Sequence, residues 1–165
     1  MKEEQLCIKT EERPRKTCAF TGHRELYGDF SAEALKEKIE KLIKEGVEIF
    51  YNGGAKGFDL IAAETTLLLK KTYPHIRLVV CAPFYGQEKY FSKTDKKRYA
   101  TIVKEAEETL LISPISHKGA FLERDRYMAD RADVLIAYLK KQTGGTAYTV
   151  EYFRKKYPEK EIVFV

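Results

Sequence analysis

Residues 51–64, YNGGAKGFDLIAAE, decide the fold. A β-prone run breaks at Gly53-Gly54, and an alanine-rich helical pattern follows from about residue 60. Glycine lets the backbone turn sharply and approach a ligand closely, and the first N–H groups of a helix can bind an anion. The segment therefore fits two interpretations, a phosphate-binding turn and an ordinary turn between a strand and a helix.

Short apolar runs and helical patterns alternate on both sides of this segment. Strands are predicted at 17–21, 47–51, 76–82, 109–113, 133–139 and 161–165, and helices at about 31–45, 60–71, 92–107, 120–131 and 146–156. This alternation is typical of βαβ units with right-handed crossovers. We therefore predict an α/β fold, a Rossmann-like three-layer α/β/α domain whose mostly parallel sheet has about six strands.

Composition limits the number of domains and the class of protein. The 165 residues are enough for one domain, which we place at 17–165 behind an N-terminal arm at 1–16. The weak net charge of +5 argues against nucleic acid as a partner. Three cysteines without a CxxC pair or a suitable histidine spacing predict neither disulfides nor a metal site. We find no signal peptide and no apolar run of membrane-spanning length, so we expect a cytoplasmic protein.

Glycine turns follow three of the predicted strands, at the edge where such sheets hold their ligands. The turns contain Gly22, Gly53-Gly54 and Gly144-Gly145. Their recurrence favours a ligand crevice over turn geometry alone, and helix starts facing one crevice suit a diphosphate or a phosphorylated sugar. Known fingerprints do not match, since Asn52 stands where GxGxxG needs glycine and Lys56 precedes Gly57 instead of following it as in a P-loop.

Five short motifs stand in a fixed order along the chain. They are Thr21-Gly22-His23-Arg24, Gly53-Gly54-Ala55-Lys56-Gly57-Phe58-Asp59 with Ala62-Ala63-Glu64, Cys81-Ala82-Pro83-Phe84 with Gln87, Arg124-Asp125-Arg126-Tyr127-Met128 with Asp130, and Gly144-Gly145-Thr146. Together they resemble the YpsA-like branch of the SLOG superfamily, over about residues 16–157. That superfamily also contains the LOG phosphoribohydrolases and the DNA-processing protein DprA. The resemblance implies a Rossmann-like fold that binds a nucleotide or a nucleotide-derived ligand such as NAD or ADP-ribose.

The resemblance also implies a set of ligand-binding residues. These are Thr21, Gly22, His23, Arg24, Gly53, Gly54, Ala55, Gly57, Asp59, Pro83, Phe84, Arg124, Asp125, Gly144, Gly145 and Thr146. No metal is expected among them, and the identity of the cofactor or ligand stays open. The expected partner is a nucleotide-like small molecule, and family analogy adds a homo-oligomer, for example a dimer through the outer helices.

Two departures from the family pattern bear on function. LOG enzymes carry a PGGxGTxxE signature, but here Thr143 replaces the proline and Ala147-Tyr148 replace the inner Gly-Thr pair. Glu151 keeps the spacing of the signature's glutamate. Glycosidase activity is therefore not carried over directly. Asp125 stands where YpsA-like sequences usually have asparagine, so an amide that could donate a hydrogen bond is replaced by an acceptor.

Several side chains leave alternatives open. Arg24 either clamps a phosphate or is a surface arginine, and Asp59 either caps its helix or holds a ribose hydroxyl. His23 is either an acid or base or, as we prefer, a hydrogen-bonded loop residue. The aromatic residues after the third strand, Tyr85, Tyr90 and Phe91, either form a lid that stacks on a base or pack against the sheet.

Glu64 and Glu151 are the candidate catalytic carboxylates, since each lies in a helix that follows a glycine turn. Cleavage of an N-glycosidic bond passes through an oxocarbenium-like state and needs a carboxylate beside the sugar. The alternative for both is a solvated helix residue.

Three functions follow. The favoured one is binding or sensing of a nucleotide-derived ligand in the glycine-rich crevice. The alternatives are LOG-like hydrolysis of a nucleoside monophosphate and DprA-like binding of single-stranded DNA. Whether the protein is an enzyme stays open.

Overall fold

The computed structural model describes residues 14–165, in which strands and helices alternate. The strands are β1 (Lys16–Gly22), β2 (Val47–Asn52), β3 (Arg77–Ala82), β4 (Glu108–Leu111), β5 (Val134–Tyr138) and β6 (Glu161–Phe164). The helices are α1 (Ala32–Lys44), α2 (Phe58–Lys70), α3 (Lys93–Glu105), α4 (Ala120–Arg131) and α5 (Gly145–Lys156). Most of the arm predicted at 1–16 lies outside the described residues, and β1 already begins at Lys16.

The six strands form one parallel sheet in the order β4-β3-β2-β1-β5-β6. From β1 the chain moves outward to β4 and then returns to place β5 on the other side of β1. The strand order therefore reverses between β1 and β5, the position at which such sheets hold ligands outside their carboxyl ends. The predicted fold class is confirmed, and the sheet of the described chain is parallel throughout.

Two apolar clusters cover the two faces of the sheet. Helices α1, α2 and α3 pack on one face, and α4 and α5 pack on the other. Neighbouring residues of β1 alternate between them, since Cys18 and Phe20 join the first cluster and Ala19 joins the second. Strand β5 is buried along its whole length, as expected for a strand covered on both faces.

The helices begin where the sequence provides a cap or a glycine. The Ser31 side chain accepts a hydrogen bond from the Ala34 amide and caps α1, as predicted. Helices α2 and α5 instead begin after Gly57 and Gly144, whose φ angles are +82° and +97°. These conformations favour glycine, and they direct both helix N-termini at the carboxyl edge of the sheet.

A short 3-10 turn at Gln87–Tyr90, which the sequence pattern does not predict, lies between β3 and α3. Helix α2 begins two residues earlier than predicted because the Phe58 amide bonds the His23 carbonyl oxygen, a partner from β1's loop. Within the described part of the chain, every helix is too short or too polar to cross a membrane.

Candidate functional site

A cavity of about 340 Å³ opens where the strand order reverses, and we call it the first cavity. The loops after β1 and β2, helix α4 and the start of α5 line it. The sequence-predicted residues that it brings together are Thr21, Gly22, His23, Arg24, Ala55, Asp59, Arg124, Asp125, Gly145 and Thr146. The cavity therefore gathers residues from four of the five motifs.

Three further lining residues, Phe20, Phe121 and Leu122, are not singled out by the sequence analysis. A signal for one of them exists, because Phe121 precedes Arg124 and Asp125 by three and four residues on one helix. Residues at those spacings share a helix face. Phe20 gives no such signal, since it is one of several apolar residues in β1.

Several predicted residues do not line the first cavity. Gly53 and Gly54 are buried behind its wall, and Gly57 is packed so closely that a Cβ there would overlap the Arg24 carbonyl oxygen. Gly144 stands just outside, with no neighbouring atom within 4 Å of a Cβ built there. Phe84 lines an adjacent cavity. Pro83 lies beside it, and its carbonyl oxygen accepts a hydrogen bond from the Ser113 amide.

The two candidate catalytic glutamates lie away from the first cavity. Glu64 accepts a hydrogen bond of 2.9 Å from Nε of Arg98 on α3. Glu151 is exposed on α5 and forms an ion pair of 2.8 Å with Lys155, one turn further along. Both glutamates are partly or largely solvated and pair with a basic side chain, and neither lines the first cavity.

Arg124 is buried and joins three parts of the site. Its Nη1 donates to the carbonyl oxygen of Gly53 at 2.6 Å and to that of Cys81 at 3.3 Å, at the ends of β2 and β3. Its Nε donates to Oδ1 of Asp125 at 2.8 Å. Arg124 thus holds the wall of the cavity in place. Its positive charge also acts on the carboxylates of Asp59 and Asp125.

Asp59 is the buried carboxylate of the first cavity. Its Oδ2 accepts a hydrogen bond of 3.3 Å from the Ala55 amide, whereas Oδ1 has no partner among the described residues. Burial raises the pKa of Asp59 to about 7; the Arg124 charge opposes this rise and the Asp125 carboxylate adds to it. An unpartnered buried acceptor is costly unless something supplies a hydrogen-bond donor.

The two glycine turns beside this carboxylate use their amides differently. In the closed turn, residues 53–57, the Gly54 amide donates to Oδ1 of Asn52 at 2.8 Å and the Ala55 amide donates to Asp59. In the open turn, residues 144–146, the amides of Gly145 and Thr146 have no partner among residues 14–165, and no side chain caps α5. The open turn therefore presents free N–H groups and the positive end of a helix dipole.

His23 and Arg24 follow β1 and have different environments. Nε2 of His23 accepts hydrogen bonds from the amides of Lys140 at 2.8 Å and Lys141 at 3.2 Å. Burial, and then the Lys141 charge, lowers the pKa of His23, which agrees with a neutral, hydrogen-bonded loop residue. The Arg24 guanidinium lies 4.8 Å from the centre of the Phe121 ring and forms no ion pair with the described residues.

Within residues 14–165, no three His, Cys, Asp or Glu side chains are arranged to hold a metal ion. The charged and titratable side chains that line the first cavity are Asp59, Asp125, Arg24, Arg124 and His23, and the N-terminus of α5 lies beside them.

Comparison with known proteins gives matches to one family and one fold. The YpsA family model, described as the "YspA SLOG family", matches residues 18–164. A UPF0398 protein of Halalkalibacterium halodurans is 32% identical over 127 residues, which are 75% of this chain and 67% of that protein. A UPF0398 protein of Brevibacillus brevis is 30% identical over 127 residues, 75% of this chain and 68% of that protein.

Two solved structures share the fold. DNA processing protein A of Helicobacter pylori, described with its single-stranded DNA binding mode, has a TM-score of 0.63 at 22% identity and matches 90% of this chain. DprA of Streptococcus pneumoniae has a TM-score of 0.67 at 18% identity and matches 91% of this chain. The matched parts are 64% and 50% of those two chains, so this chain spans half to two thirds of their length.

Proposed function

This chain belongs to the YpsA family of SLOG proteins, and from that premise we propose that it binds a nucleotide-derived ligand, such as NAD or ADP-ribose, in the first cavity. One observation carries the proposal: the buried Asp59 lines that cavity, and its Oδ1 has no hydrogen-bond partner among the described residues. A ligand with a hydroxyl group would supply the missing donor.

The open turn is the proposed phosphate site. The amides of Gly145 and Thr146 line the first cavity at the start of α5, where a helix N-terminus favours an anion. Arg24 lines the same cavity and can donate two parallel hydrogen bonds to phosphate oxygens. Both groups make few bonds within the protein, so they are available to a ligand.

The closed turn is the proposed sugar site. Because Ala55 holds Oδ2 of Asp59, the unpartnered Oδ1 is the atom that remains for a ribose hydroxyl. Arg124 keeps positive charge close to Asp59 and lowers the cost of the ionised carboxylate. A phosphorylated ribose thus fits the donors and acceptors of the two turns.

The test is a ligand panel measured by thermal shift and calorimetry. NAD, ADP-ribose, AMP and ribose 5-phosphate are titrated into the native chain and into Asp59→Asn. In the variant the amide oxygen replaces Oδ2, and an NH2 group faces the ligand where an acceptor is needed. We expect at least one ligand to stabilise the native chain, and its affinity to fall by about tenfold in Asp59→Asn.

Glu64→Gln is the matched control, since it removes a carboxylate from the same helix but outside the first cavity. It should leave the affinity unchanged. The proposal fails if every ligand of the panel leaves the native midpoint unmoved at millimolar concentration.

Binding of single-stranded DNA is the second candidate. The weak net charge argued against nucleic acid as a partner. The structural likeness to two DNA-processing proteins does not support that exclusion. Two lysines beside the site, Lys56 and Lys89, could contact phosphates. Association with a short oligonucleotide that weakens steeply with added salt would favour this candidate over a small ligand.

A further inference from the structure

A second cavity, of about 560 Å³, opens next to the first and shares three lining residues with it. The shared residues are Arg24, Ala55 and Phe121. Its outer wall is the tyrosine segment, residues 84–91, which joins β3 to α3 and contains the 3-10 turn. A ligand that passes Arg24 therefore leaves one cavity and enters the other.

The aromatic residues of the tyrosine segment divide into two groups. Tyr85 and Tyr90 are 85% and 89% exposed, although both line the second cavity. Phe91 is instead packed against the core, with its ring centre 5.9 Å from that of Tyr99. Of the two sequence alternatives, packing holds for Phe91, whereas the two tyrosines present their rings to solvent.

The tyrosine segment is pinned to the closed turn by Gln87. This side chain is buried, and its Nε2 donates to the carbonyl oxygen of Gly53 at 3.0 Å and to the Tyr99 hydroxyl at 3.2 Å. The Gly53 oxygen also accepts the bond from Arg124. The tyrosine segment is thus held against the closed turn at Gln87, while the rings of Tyr85 and Tyr90 remain largely exposed.

Three basic residues line the second cavity. Lys56 and Lys89 line the second cavity, and Nζ of Lys89 lies 5.5 Å from the centre of the Tyr90 ring. Arg24 stands at the boundary of the two cavities, over the Phe121 ring. Aromatic faces beside cations suit a group that is itself aromatic and is attached to an anion.

We propose that the second cavity binds the base of the nucleotide-derived ligand, with Tyr85 and Tyr90 stacking on it and the phosphates running past Arg24 into the first cavity. This inference rests on the proposed function, which places the phosphorylated ribose. It adds that the aromatic base of the ligand lies in the second cavity and that the tyrosine segment selects for it.

The experiment compares ADP-ribose with ribose 5-phosphate, which has no base, by calorimetry on three proteins. These are the native chain, the double variant Tyr85→Ala with Tyr90→Ala, and the double variant Tyr85→Phe with Tyr90→Phe. Both tyrosines are exposed, so all three should fold alike, and the phenylalanine variant keeps the stacking surface while losing the hydroxyls.

We expect the alanine variant to bind ADP-ribose about tenfold more weakly or worse. Ribose 5-phosphate should bind it within about twofold of the native affinity, and the phenylalanine variant should bind both ligands as the native chain does. Phe164→Ala, at an exposed aromatic residue of β6 outside both cavities, should change neither affinity.

Equal affinity of the native and alanine proteins for ADP-ribose overturns the base site, while the binding of ribose 5-phosphate then still supports the first cavity. If the alanine variant loses affinity for a (dT)15 oligonucleotide and keeps it for ADP-ribose, the tyrosines serve a nucleic-acid strand and the inference is wrong. If the native chain binds none of ADP-ribose, ribose 5-phosphate, NAD and AMP, the base site and the proposed function fall together.

Discussion

The closed turn and the open turn both begin with a pair of glycines, but they use their backbone amides in opposite ways. In the closed turn, the amides of Gly54 and Ala55 bond Asn52 and Asp59, and a Cβ on Gly54 would lie 2.8 Å from the Tyr99 ring. In the open turn, a Cβ on Gly145 would meet only Oδ2 of Asp125, at 3.6 Å. The first turn builds the wall of the cavity, and the second offers donors to a ligand.

This difference comes from the surroundings of each turn and not from its glycines. The closed turn is followed by a helix that returns a carboxylate to it and is covered by Arg124 and Gln87. The open turn has neither. A pair of glycines after a strand therefore indicates a close approach of some group, while the neighbouring side chains decide whether that group is the protein or a ligand.

The largest expected effect is a difference in the free energy of unfolding between glycine-to-alanine variants of the two turns. Gly54→Ala places a side chain at φ +68° against Tyr99, and we expect it to lower the free energy of unfolding by about 3 kcal/mol. Gly145→Ala should change it by less than about 0.5 kcal/mol, since there is room for a methyl group. Urea unfolding measures both, and equal losses would remove the distinction between the turns.

The next effect concerns the arginine that supports the closed turn. Arg124→Met leaves the Asp125 carboxylate without this donor and removes one of the two hydrogen bonds to the Gly53 carbonyl oxygen, so we expect a loss of about 2 kcal/mol in urea unfolding. Arg126→Met, on the exposed side of the same helix, loses only a bond to the Tyr148 hydroxyl and should cost less than about 0.5 kcal/mol. Similar losses in the two variants would show that Arg124 does not hold the wall.

A smaller effect appears in the pH dependence of stability. The folded pKa of Asp59 is raised from its usual 3.8 to about 7, so between these values the folded state binds a proton that the unfolded state has lost. This contribution to stability therefore falls as the pH rises from about 4 to 7. Asp59→Asn, which mimics the protonated form, should lack this slope and be more stable than the native chain at pH 8. Parallel native and variant profiles would contradict the burial of an ionisable group there.

The smallest effect is the pH dependence that His23 adds to stability, and its sign is opposite to that of Asp59. The pKa of His23 is lowered, so the neutral ring is favoured in the folded state and its contribution is lost as the pH falls below about 6.5. Thermal midpoints of the native chain and of His23→Gln should therefore converge on acidification from pH 7 to pH 5. A gap that widens over this range would mean that the imidazolium form is the one stabilised.

The sequence predicts the fold well because its signals are local. Continuous apolar runs such as 133–139 predict buried strands, and Ser31 predicts the start of α1, without knowledge of the rest of the chain. The start of α2 is missed because it depends on a hydrogen bond from the Phe58 amide to the carbonyl oxygen of His23, a residue far from it in the sequence. The 3-10 turn is missed because four residues are too few to show a period.

The sequence predicts the site less completely, because membership of the first cavity depends on side chains from distant elements. The motifs contain Arg24, Asp59 and Arg124, and these three residues line the first cavity. The ion pair of Glu151 can be predicted from the sequence, since Lys155 follows it at the spacing of a helical ion pair. The hydrogen-bond partner of Glu64 cannot be predicted in this way, because Arg98 belongs to another helix.

The doubly bonded carbonyl oxygen of Gly53 has a consequence for how this chain can diverge. Gln87 and Arg124 reach it from separate segments and use both of its acceptor positions. The cost of replacing one of these residues therefore depends on whether the other is present, so changes at the two positions are epistatic and not additive. Homologues that differ at position 87 are therefore expected to differ at position 124 as well.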